Sequence, residues 1–393
     1  MKITRMRVRH LYARLREPMR PRGDLGYKEC PHTGTEHARL AVVELDTDEG
    51  ITGLAIMVSR GERTAQCLAN TIAPVLVGKD PTAIWERVIE LRACEPFDPK
   101  IATHIELGLW DIIGKQRGVP LHTLLGGRDD PPPAKVYAGG ASMCWNALDL
   151  LVEEAQRYTA QGFAGMKIKI GHGPDEDLEI VARVREAIGP GLFIVVDANR
   201  AYNLADALRL AKGLEEHGVD WFEEPLPYAM PEGERDPWDC TRVDDWGIEQ
   251  YRQLRQATTV QIAGGEGFRD HHLIARLLAA GCFDVYQPDA GYLGVLTMLS
   301  LNDMAVSLGV PLTPHACGDT AGFVAGLHLQ TITEHAIIQE YETWDNPLVH
   351  SIYKGLPRLN RDSTVSVPSA PGLGVDLDET TCEKYLVFCE TLG

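Results

Sequence analysis

The sequence predicts an α/β protein in which a (β/α)8 barrel of the TIM type carries a separate α+β capping domain. Three observations predict it. Eight short β-rich phrases recur from residue 134 onward: KVYAGGA, GMKIKIG, FIVVDAN, WFEEP, VQIAGGEG, VYQPDA, VPLTPHA and IIQEYE. Between them lie runs such as DLEIVARVREAIG, ADALRLAKGLEEHG and DHHLIARLLAAG, whose apolar residues recur at helical spacing. A breaker stretch, GGRDDPPP at 126–133, separates this region from a differently patterned beginning, because three consecutive prolines cannot continue a helix. Eight strand–helix units suit a barrel of roughly 250 residues. A doubly wound open sheet is the rival, but GGRDD and AGGEG do not match its GxGxxG fingerprint.

Taken in order, MKITRMRVRH reads as an alternating strand and not as a targeting segment, since no apolar stretch follows its charges. ARLAVVELDTDEG is a strand run ending in a Gly turn. TAQCLANTIAPVL and IATHIELGLWDIIGKQRG carry apolar residues at helical spacing. The expected division is a capping domain over 1–130, the barrel over 131–364, and a C-terminal segment, 365–393, that packs back on the cap. One connection, PYAMPEGERDPWDCTRVDDWG after the fourth phrase, is unusually long for a compact domain.

Composition narrows the function. At 393 residues the chain is too long for one ordinary core. No stretch approaches the about 18–20 apolar residues of a membrane helix, so no membrane partner is expected. Lys plus Arg total 38 against 56 for Asp plus Glu, a net charge of −18, which argues against a nucleic acid partner. Nine scattered cysteines without a CxxC pair indicate neither a zinc site nor a disulfide framework. A reducing, cytoplasmic setting fits best.

In a barrel, polar residues at the C-terminal ends of strands face the mouth. The phrases end in Lys167/Lys169, Asp197, Glu223, Glu266, Asp289, His315 and Glu340. Any one of these acids alone reads as an ordinary rim residue. Asp197, Glu223 and Glu266 close three successive phrases, and three converging carboxylates repel one another unless a cation joins them. An all-oxygen set favours Mg²⁺ over Zn²⁺. Glu224 points to the other side of the pleat and is expected to support the site from behind. Lys167 and Lys169 share one strand face, with Met166, Ile168 and Ile170 packing the other, so the pair is expected inside the mouth and not on a solvated surface. Each ammonium should lower the pKa of the other, making Lys169 a usable base. Asp289 beside His315 suits an acid/base dyad, since an aspartate orients an imidazole. Glu340, if protonated, is placed to hydrogen-bond a developing oxyanion. These groups together fit removal of the proton α to a carboxylate, with the metal stabilising an enediolate.

The same residues resemble the enolase superfamily, and within it the mandelate racemase subgroup, over essentially the whole chain. MKITRMRVRH looks like the family's opening strand and LGLWDIIGKQRGVPLHTLLGG like the end of its capping domain. The resemblance implies Lys-x-Lys at Lys167 and Lys169, the latter as base, and Mg²⁺ ligands at Asp197, Glu223 and Glu266. It also implies a His–Asp dyad at His315 and Asp289, and a last-strand glutamate at Glu340; a Lys or His base beside Mg²⁺ is that superfamily's general pattern. Asn199 matches a position that often contacts substrate. The segment between Glu223 and Glu266 is longer than usual, and the capping phrases GDLGYKECPHTG and GLAIMVSRGER match no assignable substrate. Lys28 and His32 in the first, with His37 just after it, suit a hydroxylated anion. The implied activity is dehydration of an acid sugar to a 2-keto-3-deoxy acid, and the implied partners are a small-molecule carboxylate substrate and further copies of the chain in a homo-oligomer. A racemase or epimerase using the same bases, a Schiff-base lyase and a non-catalytic binding protein stay open. Which base takes the proton also stays open.

Overall fold

The computed structural model describes residues 1–15, 37–94, 96–139, 148–230, 242–268, 270–316 and 320–393. Strands β1 (Ile3–Arg14), β2 (His37–Thr47) and β3 (Thr52–Val58) form an antiparallel sheet. The C-terminal strand Leu386–Leu392 adds to its edge, with Val8 opposite Glu390, so the chain's end returns to its beginning.

The apolar alternation in β2 has two destinations, since successive side chains point to opposite faces. Ala41, Val43 and Leu45 pack with Leu68, Ile72, Leu91, Ile105 and Leu109. Leu40 and Val42 join the other large core, which includes Val136, Ile168 and Leu327 of the barrel. A sheet covered on both faces needs a nearly continuous apolar run, and LAVVEL supplies one. The long helix Pro99–Arg117 lies over this sheet. Asp98 caps its start by accepting from the Lys100 backbone N–H, proline occupies its first turn, and Gly118 ends it at φ 70°, the left-handed value that favours glycine.

Among the described residues, seven parallel strands follow: β4 (Ala134–Gly139), β5 (Gly165–Lys169), β6 (Phe193–Asp197), β7 (Trp221–Glu223), β8 (Gln261–Gly264), β9 (Val285–Tyr286) and β10 (Gln339–Glu342). The ring closes through β10, which pairs β4. The seventh of the eight phrases contributes a single bridging residue, Leu312, which joins Tyr286 on one side and Ala336 on the other. The reason is covalent: Pro311 and Pro314 flank it and have no N–H to give to a ladder. Inside, Tyr137, Val195, Trp221, Ala263, Val285 and Ile338 fill the lower barrel, with the Tyr137 and Trp221 rings edge to face at 5.6 Å. This apolar plug leaves the C-terminal strand ends as the place where polar groups converge.

Among the described residues no helix is long and apolar enough to cross a membrane.

Candidate active site

Register brings the first charged groups to one level. Lys169 of β5 lies opposite Asp197 of β6, which lies opposite Glu223 of β7, which lies opposite Ala263 of β8. Glu266 reaches the same region from just past β8, after Gly265 turns the chain at φ 105°. Asp197, Glu223 and Glu266 are buried, and one oxygen from each lies within 4.8 Å of the others.

The two lysines do face one side. Lys167 Nζ lies 3.1 Å from Glu223 Oε1, 2.7 Å from Glu340 Oε1 and 3.6 Å from Asp197 Oδ2. Lys169 Nζ donates to Asp197 and to Asn199 Oδ1, the latter at 3.3 Å. Five strand positions on from β5 around the ring, His315 Nδ1 is 2.6 Å from Asp289 Oδ2, while Nε2 lies 3.0 Å from Glu266 Oε2 and 3.7 Å from Glu340 Oε2. Asp289 Oδ1 is itself held by the Gly291 and Tyr292 N–H groups, at 2.8 and 3.1 Å. The carboxylate trio thus stands between Lys169 and the His315–Asp289 pair.

Electrostatics differ from the sequence expectation at two points. Burial and Lys167 both lower the pKa of Lys169, as expected, but Asp197, Glu266 and Glu223 together outweigh them and the net shift is upward. Burial likewise opposes protonation of His315, yet Glu266, Glu340 and Asp289 push it up to about 10. Glu340 is the second difference. Burial favours its neutral form, but Lys167, His315 and Lys169 hold its pKa below the usual range, so it stands as a carboxylate paired with Lys167 and not as a proton donor. Room for it comes from Gly139, where a side chain would collide with the Glu340 carboxyl group.

The charges do not balance. Among the described residues, Asp197, Glu223, Glu266, Asp289 and Glu340 face Lys167, Lys169 and protonated His315 as cations, all of them buried or nearly so. Two negative charges are left over, and Glu223, through burial and then Asp197, has its pKa pushed well up. One divalent cation among three oxygen donors removes that excess, and hard carboxylate ligands suit Mg²⁺. The residues therefore fit the ion.

Glu224 lies just past β7 and is held by groups outside the trio. It accepts from Tyr228 Oη at 2.9 Å and lies 3.3 Å from Arg200 Nε, and burial raises its pKa to about 7 against the pull of Arg200. Asn199, Arg200 and Glu224 all have positive φ, at 41, 67 and 40°, so the ends of β6 and β7 are bent where the ligands emerge. Lys28 and His32 lie outside the described residues, as does much of the long connection after β7. His37 opens β2 and stacks on Tyr12 at 4.7 Å.

Sequence reasoning passed over Gln287, whose Nε2 donates to Glu223 Oε2 at 2.7 Å. Its signal was present: it lies two residues before Asp289, so alternation turns it inward with that acid. It also passed over Glu106 and Thr103 of the capping helix, for which no sequence signal exists.

A family model described as "Enolase C-terminal domain-like" matches residues 150–236 and 240–381. The N-terminal domain of "Mandelate racemase / muconate lactonizing enzyme" matches 28–126. The chain belongs to the enolase superfamily. Within that superfamily it is 28% identical to a D-galactarolactone cycloisomerase of Agrobacterium fabrum, over 98% of this chain and 99% of the relative. It is 27% identical to an arabinonate dehydratase of Saccharolobus solfataricus, over 88% and 90%. A solved enolase superfamily member from Polaromonas sp. JS666 superposes with TM-score 0.81 at 29% identity, covering 99% of this chain and 98% of that one. The α/β fold with an N-terminal cap is therefore that of the superfamily.

Proposed function

We propose that this protein is a Mg²⁺-dependent hydro-lyase that dehydrates an acid sugar, an aldonate or aldarate, to a 2-keto-3-deoxy acid. The observation that supports it is the carboxylate trio flanked by two proton-transfer groups, Lys169 on one side and His315 with Asp289 on the other.

Asp197, Glu223 and Glu266 would hold Mg²⁺, which when bound supplies positive charge against the substrate carboxylate and the enediolate that grows from it. Lys169 in its neutral form takes the proton from the α-carbon. His315 is held protonated by its acidic neighbours and oriented by Asp289, so it is prepared to give its proton to the departing β-hydroxyl. The α C–H and β C–O bonds break, water leaves, and the resulting enol becomes the 2-keto acid. Exchanging the roles of Lys169 and His315 serves substrates of opposite α configuration. Glu340 is fixed in the mouth by Lys167.

The names of relatives lean the same way, with several dehydratases of sugar acids among them. A second reading, racemase or epimerase, is favoured by the same two-sided geometry, and an N-succinyl-L-Arg/Lys racemase of Bacillus cereus is 25% identical over 99% of this chain.

The test is a screen of purified protein with Mg²⁺ against mono- and diacid sugars and their lactones, read by semicarbazide absorbance. EDTA and Lys169→Ala serve as controls. A keto-acid signal abolished by both supports dehydration. If no acid gives a signal but α-hydrogens exchange with solvent deuterium, the racemase reading takes its place.

A further inference from the structure

We propose that Gln287 is a positioning residue for the metal site, holding Glu223 as a ligand without competing for its charge. The inference rests on the reading of Asp197, Glu223 and Glu266 as Mg²⁺ ligands.

Glu223 receives two kinds of donor. Lys167 Nζ approaches Oε1 at 3.1 Å and Oε2 at 3.4 Å, while Gln287 Nε2 approaches Oε2 at 2.7 Å. The lysine is cationic and divides its attention among Glu223, Glu340 and Asp197. It therefore opposes any cation that comes to the trio. The amide is neutral. It satisfies one lone pair of Oε2 and fixes the carboxylate plane, leaving the oxygen's negative charge for a metal.

Gln287 is itself immobilised. It is fully buried, and its backbone N–H is tied to the Gly264 carbonyl at 3.0 Å. Its side chain reaches from the end of β9 past β8 to the end of β7, so the amide spans two strands of the ring. It also lies two residues before Asp289, just past β9, so one strand end orients a metal ligand and the dyad carboxylate together. A carboxylate held by lysine alone would swing toward whichever cation was nearer.

The experiment is Mg²⁺ binding to the full chain by calorimetry, with Mn²⁺ binding followed by electron paramagnetic resonance. Gln287→Leu is compared with the unaltered protein and with Thr313→Val. Thr313 is equally buried on the neighbouring strand end, so its substitution controls for general loosening. Gln287→Leu should weaken Mg²⁺ binding about 10- to 100-fold and broaden the Mn²⁺ spectrum, with Thr313→Val close to the unaltered protein. If Gln287→Leu does not fold, Gln287→Met, which is unbranched and flexible, should show the same loss. An affinity within twofold of the unaltered protein, or an equal loss in Thr313→Val, overturns the proposal. Absence of Mg²⁺ binding by the unaltered protein overturns the metal reading itself, and this inference with it.

Discussion

At the scale of single residues, the mouth of the barrel is a problem in buried charge. Lys169 and His315 are both protonated when the carboxylates around them are uncompensated, because Asp197, Glu266 and Glu223 together in one case and Glu266, Glu340 and Asp289 together in the other outweigh burial. A base must lose that proton, so cation binding at the trio and proton abstraction by Lys169 are coupled: positive charge at Asp197 weakens its hold on the lysine. The two bases should be separable. His315→Asn is expected to lower dehydration by about 10²–10⁴-fold, the usual contribution of one acid/base group, while α-deuterium exchange from the Lys169 face persists. Proton NMR of recovered substrate measures this, and loss of exchange on both faces would contradict the assignment of one base to each side.

At the scale of elements, the decisive contact is between the capping helix Pro99–Arg117 and the barrel segment that begins with Asp289. The barrel helix Ala290–Ser307 is broken at Gly294, φ 73°, and Glu106 occupies the space a side chain there would need. Glu106 Oε1 accepts from the Leu296 N–H at 2.9 Å, and Thr103 Oγ1 donates to the Gly291 carbonyl at 2.5 Å. The cap thus grips both ends of the turn whose N–H groups hold Asp289. Glu106→Ala leaves a buried N–H unmatched and should cost about 1–3 kcal/mol. Thermal denaturation checks the loss, and hydrogen–deuterium exchange should rise over 289–297 before it rises over β5. Uniform loosening would mean that the contact is ordinary packing.

At the scale of the whole molecule, cap and barrel are also joined by a buried histidine pair. His122 follows the capping helix and His328 lies in the barrel helix Thr320–Ile332; their Nδ1 atoms are 2.9 Å apart. His328 Nε2 lies 3.1 Å from the Leu373 carbonyl, so it donates there and its Nδ1 must accept. Burial and nearby His122 lower its pKa to about 4, against the Leu373 hydrogen bond. The unfolded chain takes up this proton near pH 6.5 and the folded chain only near 4. The pair's stabilisation is therefore complete above about pH 6.5 and declines toward pH 4, by about 1.4 kcal/mol per unit for the one group. Melting temperatures of the protein and of His328→Gln at pH 7.5 and 5 check this. The difference between them should shrink on acidification, and a constant difference would rule it out.

How much of this was legible beforehand follows a physical boundary. Strand periodicity, helical spacing and the polar residue at each phrase end are local properties of the chain. They determined the alternating architecture and the identity of Asp197, Glu223, Glu266, Lys167, Lys169, Asp289 and His315 as groups that meet, because strand register in a closed ring carries residues at equivalent positions to one level. The seventh phrase was read as a strand from its apolar residues, whereas Pro311 and Pro314 reduce it to one bridging residue. What a group's charge does was not local. The net upward shift of Lys169 and the carboxylate state of Glu340 depend on which opposite charges lie within a few ångströms, and those come from four or five different strands. The roles of Gln287 and Glu106 are likewise tertiary: each is an unremarkable polar residue until a partner distant in sequence, Glu223 for one and the Leu296 backbone for the other, is brought within hydrogen-bond reach.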